Sequence, residues 1–113
     1  ISNWDASSVE DMEQTFFGAS LFNCDLSSWN TSKVVTMSGM FIGAFVFNGD
    51  VSDWDTSSVE DMSFLFQEAY LFDGNLSTWN TSAVTSMESM FQSASVFNSD
   101  VSNWDTSSVE DMS

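Results

Sequence analysis

The apolar positions of this chain recur every 25 residues. Trp4, Trp29, Trp54, Trp79 and Trp104 form one column, and Val9, Val34, Val59, Val84 and Val109 another. Met12, Met37, Met62, Met87 and Met112 keep the same step, as do Phe16, Phe41, Phe66, Phe91 and Phe22, Phe47, Phe72, Phe97. A fixed period without insertions marks one structural unit repeated along the chain. Inside a unit the pattern changes. Phe22, Cys24 and Leu26 alternate with Asn23, Asp25 and Ser27, a period of two that predicts a short half-buried strand. Trp29 then leads into Asn30-Thr31-Ser32, which is turn and helix-start chemistry. Val34, Met37, Phe41 and Ala44 follow at steps of 3, 4 and 3, predicting one face of a helix about three turns long. Ser7-Ser8-Val9-Glu10 and Ser57-Ser58-Val59-Glu60 fit a capping box. Gly18 and Gly43 fit helix ends, although Glu68 and Ser93 hold that position in the other units.

The expected fold is an α/β solenoid, a right-handed stack of 25-residue coils with one short parallel strand and one short helix per coil. The expected organisation is a single array over residues 1–113 of about four and a half coils, 1–25, 26–50, 51–75, 76–100 and 101–113. Both ends carry nearly the same phrase, ISNWDASSVEDM and VSNWDTSSVEDM, instead of atypical polar caps. The chain therefore reads as a slice of a longer array, whose partners are neighbouring coils or identical chains stacked head-to-tail.

Charge narrows the partners. Seventeen acidic residues face one lysine, Lys33, with no Arg or His, for a formal net charge of −16. That balance excludes nucleic acid and anionic membrane surfaces as partners. No apolar run approaches the roughly 18 residues of a membrane span. The acidic residues alternate between coils, running 5, 1, 6, 2 and then 3 in the last half-coil. The position after each Trp reads Asp5, Asn30, Asp55, Asn80, Asp105, so the full unit is 50 residues. Carboxylates one layer apart repel by roughly 1 kcal/mol in water, and skipping a layer lets salt screen them. The single cysteine, Cys24, shares a column with Gly49, Gly74 and Ser99 and reads as a buried structural thiol in a small-residue slot.

The run MFIGAFVFNGDVSDWDTSSVEDM, residues 40–62, resembles the BspA-type leucine-rich-repeat region, a family of unknown function in bacterial and microbial-eukaryote surface proteins. The likeness covers the whole chain. It implies a leucine-rich-repeat-like solenoid on a secreted or surface-anchored protein, and it offers no catalytic residue. The chain departs from the pattern in its acidity and at Thr15 and Phe17.

Candidate chemistry is sparse. Asp25, Asp50 and Asp100 are the candidates for loosely bound Ca²⁺, because hard oxygens in a regular array suit that ion; the competing role is turn formation. Asn30, Asn75 and Asn80 begin N-glycosylation sequons, so the protein reads as a candidate glycoprotein. The Trp column reads as core with its indole N–H bonded to a turn; an exposed ladder would instead suit polysaccharide. Met and Phe columns read as core packing. Ala6, Thr31, Thr56, Thr81 and Thr106 raise a remote ice-binding reading. Phe17, Phe45, Phe64 and Tyr70 are the irregular positions that would support a lateral contact. Without His, Arg or paired Cys, and with the carboxylates mostly repeated rather than singled out, the chain reads as a non-enzymatic extracellular structural or adhesive array, part of a cell-surface protein or filament. The alternative is a carbohydrate- or protein-binding repeat module.

Overall fold

The hydrogen bonds of residues 37–44 show how the chain folds, and they are not helical. In the computed structural model, which describes all residues Ile1–Ser113, alternate amides take different partners. Met37, Gly39, Phe41 and Gly43 donate to the carbonyls of Asp61, Ser63, Leu65 and Gln67 in the next repeat, at 3.0, 2.8, 3.0 and 3.0 Å. Between them, Met40, Ile42 and Ala44 donate three residues back, to Met37, Gly39 and Phe41, at 3.1, 3.1 and 3.0 Å. An α-helix commits every amide to the carbonyl four residues back. Here half the amides leave the segment, so no helix can propagate.

The expected α/β solenoid, with a helix and a strand in each coil, is therefore overturned. The structure has no helix, and its only strand-like pairings are single-residue parallel bridges, Asp11 to Thr36, Thr36 to Asp61, Asp61 to Ser86 and Ser86 to Asp111. The leucine-rich-repeat-like unit goes with it. The right-handed crossover rule applies to strand–helix–strand units and has no purchase on a turn-built chain. The molecule is a compact body of 34 × 32 × 21 Å with a radius of gyration of 12.7 Å.

Local chemistry explains the absence of a helix. Residues 14, 39, 64 and 89 (Gln, Gly, Phe, Ser) all have left-handed φ, from 48° to 61°. So do Gly18, Gly43, Glu68 and Ser93, from 58° to 68°. A left-handed residue every four positions ends each short turn before a helix can nucleate. The glycines thus do not close helices; they supply a bend that every repeat makes, with or without Gly. A Cβ on Gly43 would meet nothing nearer than 3.6 Å, so only its backbone would object. Gly43→Ala is expected to cost about 1–2 kcal/mol, and Glu68→Gly to recover part of that strain, as read by chemical denaturation. Equal stability of Glu68→Gly and the parent would mean the bend is unstrained.

The other expected element fails for a different reason. Where the strand was expected, layers are tied by side chains. The Oδ1 atoms of Asn23, Asn48 and Asp73 accept the backbone amides of Asn48, Asp73 and Asn98 at 2.8, 3.0 and 2.8 Å. Cys24 is exposed, not buried. Its column is small because the Phe two residues earlier folds over it. A Cβ on Gly49 would lie 2.6 Å from the Cys24 carbonyl and 2.9 Å from the Phe47 ring. The capping-box serines cap nothing; the Ser7 and Ser57 amides close turns on Asp5 and Asp55.

Like residues still lie against like. Trp29, Val34, Met37, Phe41, Ala44 and Phe47 are all buried. The Trp rings stack at 6.5, 6.5 and 6.3 Å from Trp4 to Trp79. Phe16, Phe41, Phe66 and Phe91 stack at 5.5, 5.5 and 5.9 Å. Within each repeat two Phe rings lie 3.8–4.0 Å apart, as Phe41 on Phe47 and Phe66 on Phe72. Burial fades toward the outer layers: Trp54 is 3% exposed and Trp4 62%. Two further buried columns, Leu26/Val51/Leu76 and Met40/Leu65/Met90, complete the core.

Candidate functional site

Three polar devices recur along the chain. The first is a corner closed by an Asx side chain. Asp5, Asn30, Asp55, Asn80 and Asp105 each accept the amide of the serine two residues on, at 2.9–3.1 Å. Asp25, Asp50, Asn75 and Asp100 make a second corner the same way, to Ser27, Ser52, Ser77 and Ser102 at 2.9–3.0 Å. Asp11, Asp61 and Asp111 make a third at 2.8–2.9 Å, with Thr36 using its hydroxyl in the second repeat. These are Asx turns, the local bond that makes Asp and Asn favourable at bends and unfavourable inside helices.

The second device is the indole N–H. Trp29, Trp54, Trp79 and Trp104 donate to the carbonyls of Ile1, Leu26, Val51 and Leu76, at 3.3, 3.0, 2.9 and 3.0 Å. The Trp column is thus core in the middle repeats, and it is no surface ladder for sugar. The third device was missed from sequence. Thr31, Thr56 and Thr81 are buried and donate their hydroxyls to the carbonyls of Asp55, Asn80 and Asp105, at 3.0, 3.0 and 2.9 Å. Ala6 in the same column was the available signal, since a Thr-to-Ala exchange fits a buried small site. The Thr column is therefore not a flat exposed array.

Asp25, Asp50 and Asp100, the Ca²⁺ candidates, are exposed and engaged in their own corners. The structure brings no group of three or more His, Cys, Asp or Glu together to hold a metal ion. Melting temperatures are expected to rise with NaCl through screening and to match in CaCl₂ at equal ionic strength. A further rise in CaCl₂ would show a site built from carboxylates the structure keeps apart. Asn30, Asn75 and Asn80 are exposed, with their Oδ1 atoms bound to the amides of Ser32, Ser77 and Ser82.

The corner bonds hold several carboxyls below the ordinary Asp value of 3.8. For Asp5, Asp55, Asp100 and Asp105 the leading cause is the hydroxyl of the following serine, then its amide. For Asp25, Asp50 and Asp111 the amide leads. A depressed folded value stabilises the fold fully above the unfolded value, and that contribution fades as pH falls through the folded one. Asn30 and Asn80 already make the same corner without titrating. Replacing Asp5, Asp55 and Asp105 with Asn is therefore expected to reduce the loss of melting temperature between neutral pH and pH below 3.8. Equal losses in variant and parent would show that these corners do not drive acid sensitivity.

The same stretch of successive repeats exposes an apolar edge. Phe17, Leu21, Phe45, Tyr70, Leu71 and Val96 are exposed, and Phe45 stacks on Tyr70 at 5.0 Å. Residues 14–22, 39–47, 64–72 and 89–97, which carry this edge, contain a single carboxylate, Glu68. Phe64, the fourth irregular position, takes part in the left-handed bend. A cleft of about 730 Å³ opens among Met87, Met90, Phe91, Val101, Trp104 and Met112. No helix is long and apolar enough to cross a membrane.

No curated protein and no solved structure matches the chain. A family model described as "Mycoplasma protein of unknown function, DUF285" matches residues 1–77 and again residues 46–113. The two matches overlap and between them take in every repeat, so the chain belongs to this DUF285 family of unknown function.

Proposed function

We propose that the chain is a non-enzymatic structural or adhesive repeat segment of an extracellular, cell-surface protein or fibre. The observation that carries this reading is the repetition of every polar device. Indole, Thr hydroxyl and Asx side chain perform the same structural tasks in each of the three repeats spanning residues 26–100, joining layers or closing corners. Such a frame extends by adding repeats that make the same bonds. The likeness to BspA-type repeats supports a surface location, although the leucine-rich-repeat fold does not come with it. Exposed Asn30, Asn75 and Asn80 would then carry glycan in a eukaryotic secretory route. Beads coated with the folded chain should adhere under flow to each other or to cell surfaces. Adhesion no greater than that of beads carrying heat-denatured chain would count against the reading.

A second reading, a carbohydrate- or protein-binding module, is favoured by the exposed edge of Phe17, Leu21, Phe45, Tyr70 and Leu71. Binding to a glycan array or to a soluble partner that is lost in Phe45→Ser with Tyr70→Ser would support it over the first.

A further inference from the structure

Asn48 is the only asparagine of the chain that is followed by glycine. Packing puts that glycine there. A Cβ on residue 49 would lie 2.6 Å from the Cys24 carbonyl and 2.9 Å from the Phe47 ring. The same vacancy opens a reaction. The carbonyl carbon of an asparagine side chain can be attacked by the next main-chain nitrogen. A Cβ on the next residue crowds that attack, and glycine leaves it open.

The groups around residue 48 suit the attack. Asn48 is exposed and Gly49 half-buried, so water reaches both. The Gly49 amide donates to no acceptor in the protein. Asn48 Oδ1 accepts the Asp73 amide of the next layer at 3.0 Å. That donor polarises the Cγ carbonyl and lies where negative charge gathers on Oδ1 during attack. The Asn48 amide is held in turn, donating to Asn23 Oδ1 at 2.8 Å. Other positions of the column lack one part each. Asn23 makes the same tie, but Cys24 follows it and its side chain crowds the attacking nitrogen. Asp73 is followed by Gly74, but a carboxylate is a poor electrophile.

We propose that the folded chain modifies itself at Asn48, closing a succinimide with Gly49 and turning the side-chain amide into an acid. The Gly49 nitrogen gives its proton to solvent base and bonds to Asn48 Cγ. The carbonyl electron pair moves onto Oδ1, facing the Asp73 N–H, and returns as the Cγ–Nδ2 bond breaks. Nδ2 leaves as ammonia with a proton from water. Water then opens the ring. Opening at Cγ gives aspartate. Opening at the main-chain carbonyl carbon of residue 48 gives an isoaspartyl link, in which the chain runs through Cγ. The sum is amide plus water to acid plus ammonia, with nothing oxidised or reduced.

The two products differ in what they do to the layers. Aspartate keeps the tie, since Asp73 makes the same bond to the Asn98 amide at 2.8 Å. It also sets a carboxylate one layer from Asp73, in a stretch, residues 26–50, whose only acid is Asp50. The isoaspartyl link adds a carbon to the main chain between the Asn23 tie and the Gly49 slot, where the Cys24 carbonyl and Phe47 ring leave no room.

Peptide mapping by mass spectrometry tests this on the folded 113-residue chain, sampled over weeks in mildly alkaline buffer at physiological temperature. The peptide carrying Asn48 should gain the mass that separates an acid from an amide and resolve into aspartyl and isoaspartyl forms. Asn48 should convert on the order of tenfold faster than Asn23, because only its neighbour lacks a Cβ. Asn48→Gln, whose longer side chain must close a larger ring, should remove the gain at that position, with near-UV circular dichroism showing the variant folded. A parallel sample in urea separates the folded chain from the dipeptide alone, and Asn48 should convert in both. Conversion no faster than at Asn23, or conversion confined to the urea sample, would overturn the proposal.

Discussion

Truncating Phe66 to alanine is expected to lower the unfolding free energy by about 3–5 kcal/mol. The side chain is fully buried. Its ring lies 3.8 Å from Phe72, 5.5 Å from Phe41 and 5.9 Å from Phe91, with Trp79 at 6.2 Å. Removing it therefore opens a cavity between three layers, not a dent in one. With no helix to hold the backbone locally, neighbouring layers have few ways to collapse into that space. A domain of this size has about 5–15 kcal/mol in all, so the variant should approach spontaneous unfolding at physiological temperature. Phe66→Leu, which keeps most of the volume, should cost clearly less. Urea melts followed by tryptophan fluorescence measure both. A Phe66→Ala penalty below about 1 kcal/mol would mean the layers relax freely and the ring columns are not the source of cohesion.

The core was legible in the sequence because it depends only on which positions repeat. Trp29, Val34, Met37, Phe41, Ala44 and Phe47 are buried whatever the backbone does between them. The secondary structure was not legible. The steps from Val34 to Ala44 suit a helical face, but they equally suit a chain of three-residue turns that starts a new turn every second residue. The two differ in where the odd amides go, and that is a contact with the next repeat. Periodicity within one repeat carries no information about it. The left-handed residues were the available warning. Gly39 and Gly43 four apart inside a presumed helix argue against it, yet Phe64 and Glu68 take the same φ without any sequence signal.

The polar positions divide in the same way. Asp and Asn before Ser at each corner announced a turn, and turns are what they make. Reading them also as helix caps assumed the helix. The task of Thr31, Thr56 and Thr81 was not legible, because a hydroxyl that reaches a carbonyl 24 residues on leaves no trace in its own repeat. Cys24, read as buried, was misplaced. Its column is narrow because the Phe47 and Phe72 rings fold over Gly49 and Gly74, and in the outermost repeat the thiol stays in solvent.

The cost of losing a tryptophan should depend on its layer. Trp54→Ala is expected to cost about 3–5 kcal/mol, because it removes a ring that is 3% exposed and stacked between Trp29 and Trp79 at 6.5 and 6.3 Å. Part of that loss is polar. The indole N–H donates at 3.0 Å to the Leu26 carbonyl, one layer away. Trp54→Phe keeps a ring and abandons that carbonyl, and should cost about 1–3 kcal/mol. Trp4 has the same sequence surroundings but is 62% exposed, with a single neighbour in its column. Trp4→Ala should therefore stay within about 0.5 kcal/mol of the parent. The three variants, compared by denaturant midpoint at equal slope, separate position in the stack from residue type. If Trp4→Ala cost as much as Trp54→Ala, the indole would be acting within its own repeat. The account in which layers hold one another, with Trp as the bond between them, would then fail.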